Sequence, residues 1–390
     1  MPGMRKFPTN APYSIKDIKF DHNNKKGMKK ILVATGGGDC PGLNAVIRGI
    51  VKRAAREKDW EVWGSMEAFN GLMDEPTRLI KLDEQAVSGI HVRGGTIIKT
   101  TNKGNPMAYP EAQVDGSIKI INRIPELIQH AKNLGFEAII NIGGDGSQAI
   151  SQAIHEAGMP VVGVPKTIDN DLSSTDFTFG FQTAVQTATD AFDRLVTTAS
   201  SHHRVMIMEV MGRDAGWIAL YTAIAGGAEI CIIPEIPYDL NVIVQRIQER
   251  YDQGRGFVNI VIAEGAKPKD GTLTFTEGEA GRNAIRLGGV AYKLSDQLKQ
   301  AGIQADIRET VLGHIQRGGT PIAYDRVLAS VFGVKAFELM LDGKFGEMVV
   351  LKNNKFTSVP LKEAIGAYNY VDPNGTLVKA AQGLGISFGT

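Results

Sequence analysis

The chain has 390 residues, a formal net charge of +1, 43% apolar and 22% charged residues, and two cysteines. Such a length suffices for two domains with a large core, and so small a net charge excludes a broad field for nucleic acid or an anionic membrane, so any anion site must be local. Cys40 and Cys231 lie far apart and outside any CxxC pattern, which argues against a disulfide scaffold or structural zinc and suits a reducing cytosol.

Residues 1–28 are polar and aperiodic and read as an N-terminal extension without a signal-peptide core. No later apolar run approaches a membrane span, so the expected location is cytoplasmic. From Lys30, short β-branched runs alternate with helical stretches. ILVAT (31–35) reads as a buried parallel strand, followed by a glycine turn and the helix LNAVIRGIVKRAAREK. EVWGS, TIIKT, FEAIINI and PVVGVP repeat the strand signal, and VMIMEVMG (205–212), EICIIPE (229–235) and VNIVIAEG (258–265) restart it. This is the rhythm of parallel sheets with helices on both faces. The expected fold is α/β: two similar three-layer α/β/α domains with mainly parallel sheets and the active site in the cleft between them. The expected boundaries are 1–28, 29–165, 166–325 and 326–390.

Five loops concentrate the chemistry. In TGGGDCPGLN, Gly36, Gly37 and Gly38 leave a strand and precede a helix, a phosphate-cradle arrangement. NIGGDGSQAI (141–150) places glycines around Asp145 and enters a helix at Ser147. Bare backbone and a helix N-terminus suit phosphate, and the carboxylate fits there only with a cation between, as in a magnesium–nucleotide or magnesium–pyrophosphate site. A plain strand–helix turn is the competing reading. PKTIDNDL (165–172) packs Lys166, Thr167, Asp169 and Asp171 together, and the two acids point alike only if the segment is extended. VMGRDAGW (210–217) sets Arg213 at a strand end, and RETVLGHIQRGGTPIAYDR (308–326) carries Arg308, His314 and Arg317, a set suited to a phosphate ester. Arg204 adds a cation. His202 and His203 read as a helix-end or turn pair, Cys40 as a small loop residue and Cys231 as core.

In this order GGDCPGLN, GGDGS, PKTIDND, VMGR, AEG and GHIQRGG resemble the phosphofructokinases, from about residue 30 to about residue 350. The resemblance implies Mg²⁺-dependent transfer of the γ-phosphoryl of ATP to the 1-hydroxyl of fructose 6-phosphate, giving fructose 1,6-bisphosphate. It assigns Gly37, Gly38, Lys103, Gly144, Gly146, Ser147 and Lys166 to the donor and Asp145 to the metal. Asp169, with Thr167 and Ile168 beside it, becomes the catalytic base, and Arg213 a second catalytic residue. Met211, Gly212 and Glu264 fall to the sugar, and Arg204, Arg308, His314 and Arg317 to its 6-phosphate. Part of that arginine set comes in this family from a neighbouring subunit, so a homodimer or homotetramer with shared active sites is implied. Residues 29–165, with a C-terminal return, become the donor-binding domain, 166–325 the sugar-phosphate domain, and 326–390 helices and tail.

Two positions bear on the donor. Gly146 resembles the ATP-using members and leaves room for an α-phosphate, whereas Lys166 resembles the pyrophosphate-using group. ATP is favoured, because space is a prerequisite and a lysine is compatible with either donor; pyrophosphate is the alternative. Where the simplest members place an arginine this chain has Asn102 and Lys103, and Lys103 would act as a point charge. No effector site is inferred from Arg48, Lys52 and Arg53. A diacylglycerol- or NAD-kinase-like enzyme would account for GGDG but not for PKTIDND with GHIQRGG. A catalytically silent regulatory subunit would be expected to lack Asp145 or Asp169, and both are present.

Overall fold

The computed structural model describes residues 28–113, 115–270 and 289–390. The expected extension, apart from Met28, lies outside them. The apolar run after Lys30 forms β1 (Lys29–Thr35), and LNAVIRGIVKRA forms α1 (Leu43–Ala54), entered through Gly42 at φ 113°. There follow β2 (Trp60–Ser65), the single turn α2 (Asn70–Met73), β3 (Leu79–Leu82) and the hairpin β4 (Tyr109–Ala112)–β5 (Ile118–Ile121). Next come α3 (Ile124–Asn133), β6 (Phe136–Gly143), α4 (Asp145–Glu156), β7 (Val161–Thr167), β8 (Phe179–Gly180) and the long α5 (Phe181–His202). The second half contains β9 (Val205–Val210), α6 (Trp217–Gly226), β10 (Ile230–Ile232), α7 (Leu240–Asp252), β11 (Val258–Ala263), α8 (Val290–Gln300) and β12 (Ile307–Val311). The chain closes with α9 (Ala323–Leu341), β13 (Glu347–Lys352), β14 (Lys355–Pro360), α10 (Leu361–Ala364) and α11 (Thr376–Gly383).

Two sheets carry the fold. The first runs β14-β13-β7-β6-β1-β2-β3, with β8 added on β7; the second runs β10-β11-β9-β12 and is wholly parallel. In the first sheet β7, β6, β1 and β2 are parallel neighbours, and β3 and β14 are antiparallel edges. Central strands such as β6 and β9 are buried almost end to end, as expected when helices cover both faces. The expected mainly parallel layers are present, with unequal sheets of eight and four strands. Helices α1 and α9 approach until a Cβ on Gly49 would lie 2.5 Å from the Ser330 carbonyl, so glycine is what permits this contact.

Two expectations change. Residues 326–390 contain strands besides the expected helices and tail: β13 pairs with β7 and carries β14 with it, so the C-terminal return is made through the first sheet itself. TIIKT is not a strand. Its backbone is pinned by side chains instead: the Ile97 N–H donates to Asn44 Oδ1, Thr35 Oγ1 donates to the Lys99 carbonyl, and Lys99 takes a left-handed φ of 54°. These bonds replace a ladder and hold the loop against the first glycine turn.

Candidate active site

Ligands of open α/β sheets bind beyond the carboxyl ends of the strands, and here the ends of β1, β6 and β7 open into one cleft of about 370 Å³. Gly36–Gly38 come from β1, Gly144–Ser147 from the start of α4, and Lys166, Thr167, Asp169 and Asp171 from β7 and its exit. The second half closes the other side: Arg317 lines the cleft and its Nη1 donates to the Asp39 carbonyl at 3.4 Å. Helix α4 begins at Asp145, two residues before the expected serine, so its free N–H groups face the cleft.

Lys166 is 4% exposed, and its Nζ donates to the Gly38 carbonyl at 2.5 Å. Burial pulls its pKa below the ordinary lysine value. It belongs to the end of β7 rather than to a loop, which explains how a cation is held under the glycine turn. Gly146 lines the cleft, and its φ lies outside the left-handed region, so a Cβ there would meet no protein atom within 4 Å.

Asp169 has a buried Oδ1 with no hydrogen-bond partner. Burial, reinforced by Asp171, raises its pKa to about 6, well above the ordinary aspartate value of ~4. Asp171 is likewise pushed up by burial, and burial with Asp169 nearby raises Glu264 to about 7. Asp169 and Asp171 face the same cleft, though not through an extended segment: Asn170 between them adopts φ 52°. The turn is held by the Thr178 N–H donating to Asn170 Oδ1 at 3.0 Å.

Other expected residues are placed as follows. Lys103 and Asn102 line the cleft and are exposed. Ile168 buries its side chain in the core, leaving only its backbone for a substrate. Met211 is 8% exposed and its N–H donates to Gln316 Oε1, while Gly212 takes φ 133° at the end of the same strand. Arg213 is exposed at the rim, 3.6 Å from Asp214. His314 is exposed on the turn that carries Arg317. Arg204 and Arg308 are not brought to the cleft of their own chain. They flank Asp306, at 2.9 and 3.0 Å, where β9 and β12 begin, the edge opposite to the one that feeds the cleft. His202 and His203 end α5 as a turn pair, and Cys40 and Cys231 are buried thiols whose pKa burial pushes far up.

Three features lacked a sequence signal. Phe69 lines the cleft and also a second hollow shared with Met73, Tyr109 and Arg123. Asp145 is tethered by the C-terminal segment: the Gly366 N–H donates to Oδ1 at 2.9 Å and the Tyr368 hydroxyl lies 3.5 Å from Oδ2. The chain beyond Ala367 runs on across the Asn170 turn.

Glycine turns, a helix N-terminus, a buried lysine and clustered carboxylates thus meet in one cleft at the strand ends of an α/β protein. The phosphofructokinase family model matches residues 30–340. The chain is 48% identical over 362 residues to an ATP-dependent 6-phosphofructokinase 2 of Clostridium perfringens, covering 93% of this chain and 98% of that protein. It is 46% identical to an ATP-dependent 6-phosphofructokinase 1 of Synechocystis, covering 93% and 99%. Among solved structures, Pichia pastoris phosphofructokinase in the T-state superposes with a TM-score of 0.73 at 28% identity, over 93% of this chain and 37% of that longer one. A pyrophosphate-dependent enzyme of Nitrosospira multiformis superposes at 0.76 over 91% of both chains, but at 20% identity this likeness concerns the fold alone. The chain belongs to the phosphofructokinase family.

Proposed function

We propose that the protein is a 6-phosphofructokinase that transfers the γ-phosphoryl of ATP to the 1-hydroxyl of fructose 6-phosphate. The observation that carries this is the buried, hydrogen-bond-free Oδ1 of Asp169, which faces the cleft that also takes in Lys166, Arg317 and the glycine turns. The loose, anionic transition state of phosphoryl transfer needs positioning and positive charge more than covalent help. Asp169 accepts the proton of the attacking hydroxyl, and its raised pKa brings it closer to the working pH than a free aspartate. The N–H groups at the start of α4, with Lys166, orient the donor phosphates. Arg213 and Glu264 take up the sugar.

The donor set suits Mg²⁺. Asp145 and Asp171 offer hard carboxylate oxygens, and among the described residues no group of three or more His, Cys, Asp or Glu forms a metal cage. That pattern matches an ion held by one or two carboxylates together with substrate phosphates. When bound it would supply charge neutralisation to the phosphates. Asp145 would hold it, directly or through water.

ATP is favoured over pyrophosphate by the open space at Gly146 and by the adjoining hollow at Phe69, Met73 and Tyr109, which offers a base a partly apolar seat. The relatives carry ATP in their names, in keeping with this choice. Arg204 and Arg308 serve the 6-phosphate of a neighbouring subunit's site in a homodimer or homotetramer, which accounts for their distance from the cleft of their own chain. Purified protein with fructose 6-phosphate and Mg²⁺, offered ATP and pyrophosphate in parallel, tests the reading. Faster turnover with ATP is expected, and a preference for pyrophosphate would reverse the donor assignment.

A further inference from the structure

The C-terminal segment 366–371 lies across the site and ties its parts together. Its first residues hold Asp145. At its centre Asn369 makes three bonds. Its N–H donates to the Asp171 carbonyl at 2.9 Å, its Nδ2 donates to the Asn170 carbonyl at 2.9 Å, and its own carbonyl accepts the Trp217 indole N–H at 2.6 Å. Beyond it the Val371 N–H donates to Glu235 Oε1, and the same carboxylate accepts the Gly216 N–H at the start of α6. One side chain from the end of the protein therefore completes the hydrogen bonding of the left-handed turn that aims Asp169 and Asp171 into the cleft. A left-handed asparagine persists only where its surroundings hold it, and here the holders are Thr178, further along the same loop, and Asn369 from the C-terminal segment.

We propose that Asn369 is a positioning residue for phosphoryl transfer, fixing the Asn170 turn so that the catalytic base meets the sugar hydroxyl in line. The role rests on the function proposed above. Misplacing a reacting group by about 1 Å costs on the order of a hundredfold in rate, so a side chain that touches no substrate is able to govern kcat. Its loss belongs to the chemical step and leaves the substrate-binding groups where they are.

The test compares Asn369→Ala with Asn369→Leu, which keeps the bulk and removes the amide donor. Both are expected to lower kcat about ten- to a hundredfold and to leave KM for fructose 6-phosphate and ATP within about threefold of wild type. Hydrogen exchange read by mass spectrometry should show faster exchange at residues 169–178 while the strands of both sheets keep their protection. Wild-type kcat in both variants would overturn the proposal, as would a raised KM with kcat intact. Lost protection across both sheets in both variants would overturn it in favour of a structural role. A wild-type protein inactive with both donors would overturn the underlying reading; one that turns over while the variants match it sinks the role of Asn369 alone.

Discussion

Replacing Asp169 by asparagine removes a charge and keeps a shape. Burial and the neighbouring Asp171 raise this carboxyl from 3.8 to about 6, a rise of roughly two pH units, equivalent to ~3 kcal/mol between the two protonation states. The folded pKa lies above the unfolded one, so the fold favours the neutral acid. Its contribution to stability is complete below the unfolded pKa and is lost as pH rises through about 6. The amide of the Asp169→Asn variant never ionises and escapes that loss. Because Asp169 keeps some contact with solvent, a gain of about 1–3 kcal/mol is expected at pH 8, dwindling toward pH 4. Thermal unfolding of ligand-free wild type and Asp169→Asn across this range reads the difference. The same variant should lose about 10²–10⁴ in kcat, so the protein becomes firmer and slower together, as expected where a strained charge serves catalysis. A stability difference from wild type no larger at pH 8 than at pH 4, or a near-normal kcat, would refute the reasoning.

Three further outcomes are expected. The pH profile of kcat/KM should fall on its acid side below about pH 6–7, where Asp169 and Glu264 take up protons; the coupled acids report as a set, and a profile flat down to pH 5 would remove Asp169 as base. Gly146→Asp should abolish use of ATP by filling the α-phosphate space with negative charge, while stability stays within about 0.5 kcal/mol, since the added Cβ meets nothing within 4 Å; retained ATP turnover would defeat the donor argument. Homo-oligomers of Asp169→Ala and of Arg308→Ala should each be nearly inactive, and unfolding and reassembling them together should restore activity, because some hybrid sites receive both intact residues; no recovery, or a stable active monomer by sedimentation, would place Arg308 outside any shared site.

By itself the sequence determined the layered fold, the central strands of both sheets and the glycine- and charge-rich loops at their ends. Runs such as FEAII and VNIVIA can be satisfied only by burial on both faces, and glycines around a carboxylate at a strand exit leave little but an anion for that backbone to face. Only the tertiary structure decided that TIIKT is a pinned loop, because its backbone partners, Asn44 and Thr35, lie more than fifty residues away in the chain. It alone showed that Asp169 and Asp171 share a cleft through a left-handed Asn170, that Lys166 is buried beneath Gly38, and that Asn369 reaches across 199 positions to hold that turn. Burial is written in local apolar patterning, residue by residue. A proton affinity or a side chain's aim depends on which distant groups the fold brings within a few ångströms, and no local pattern records that.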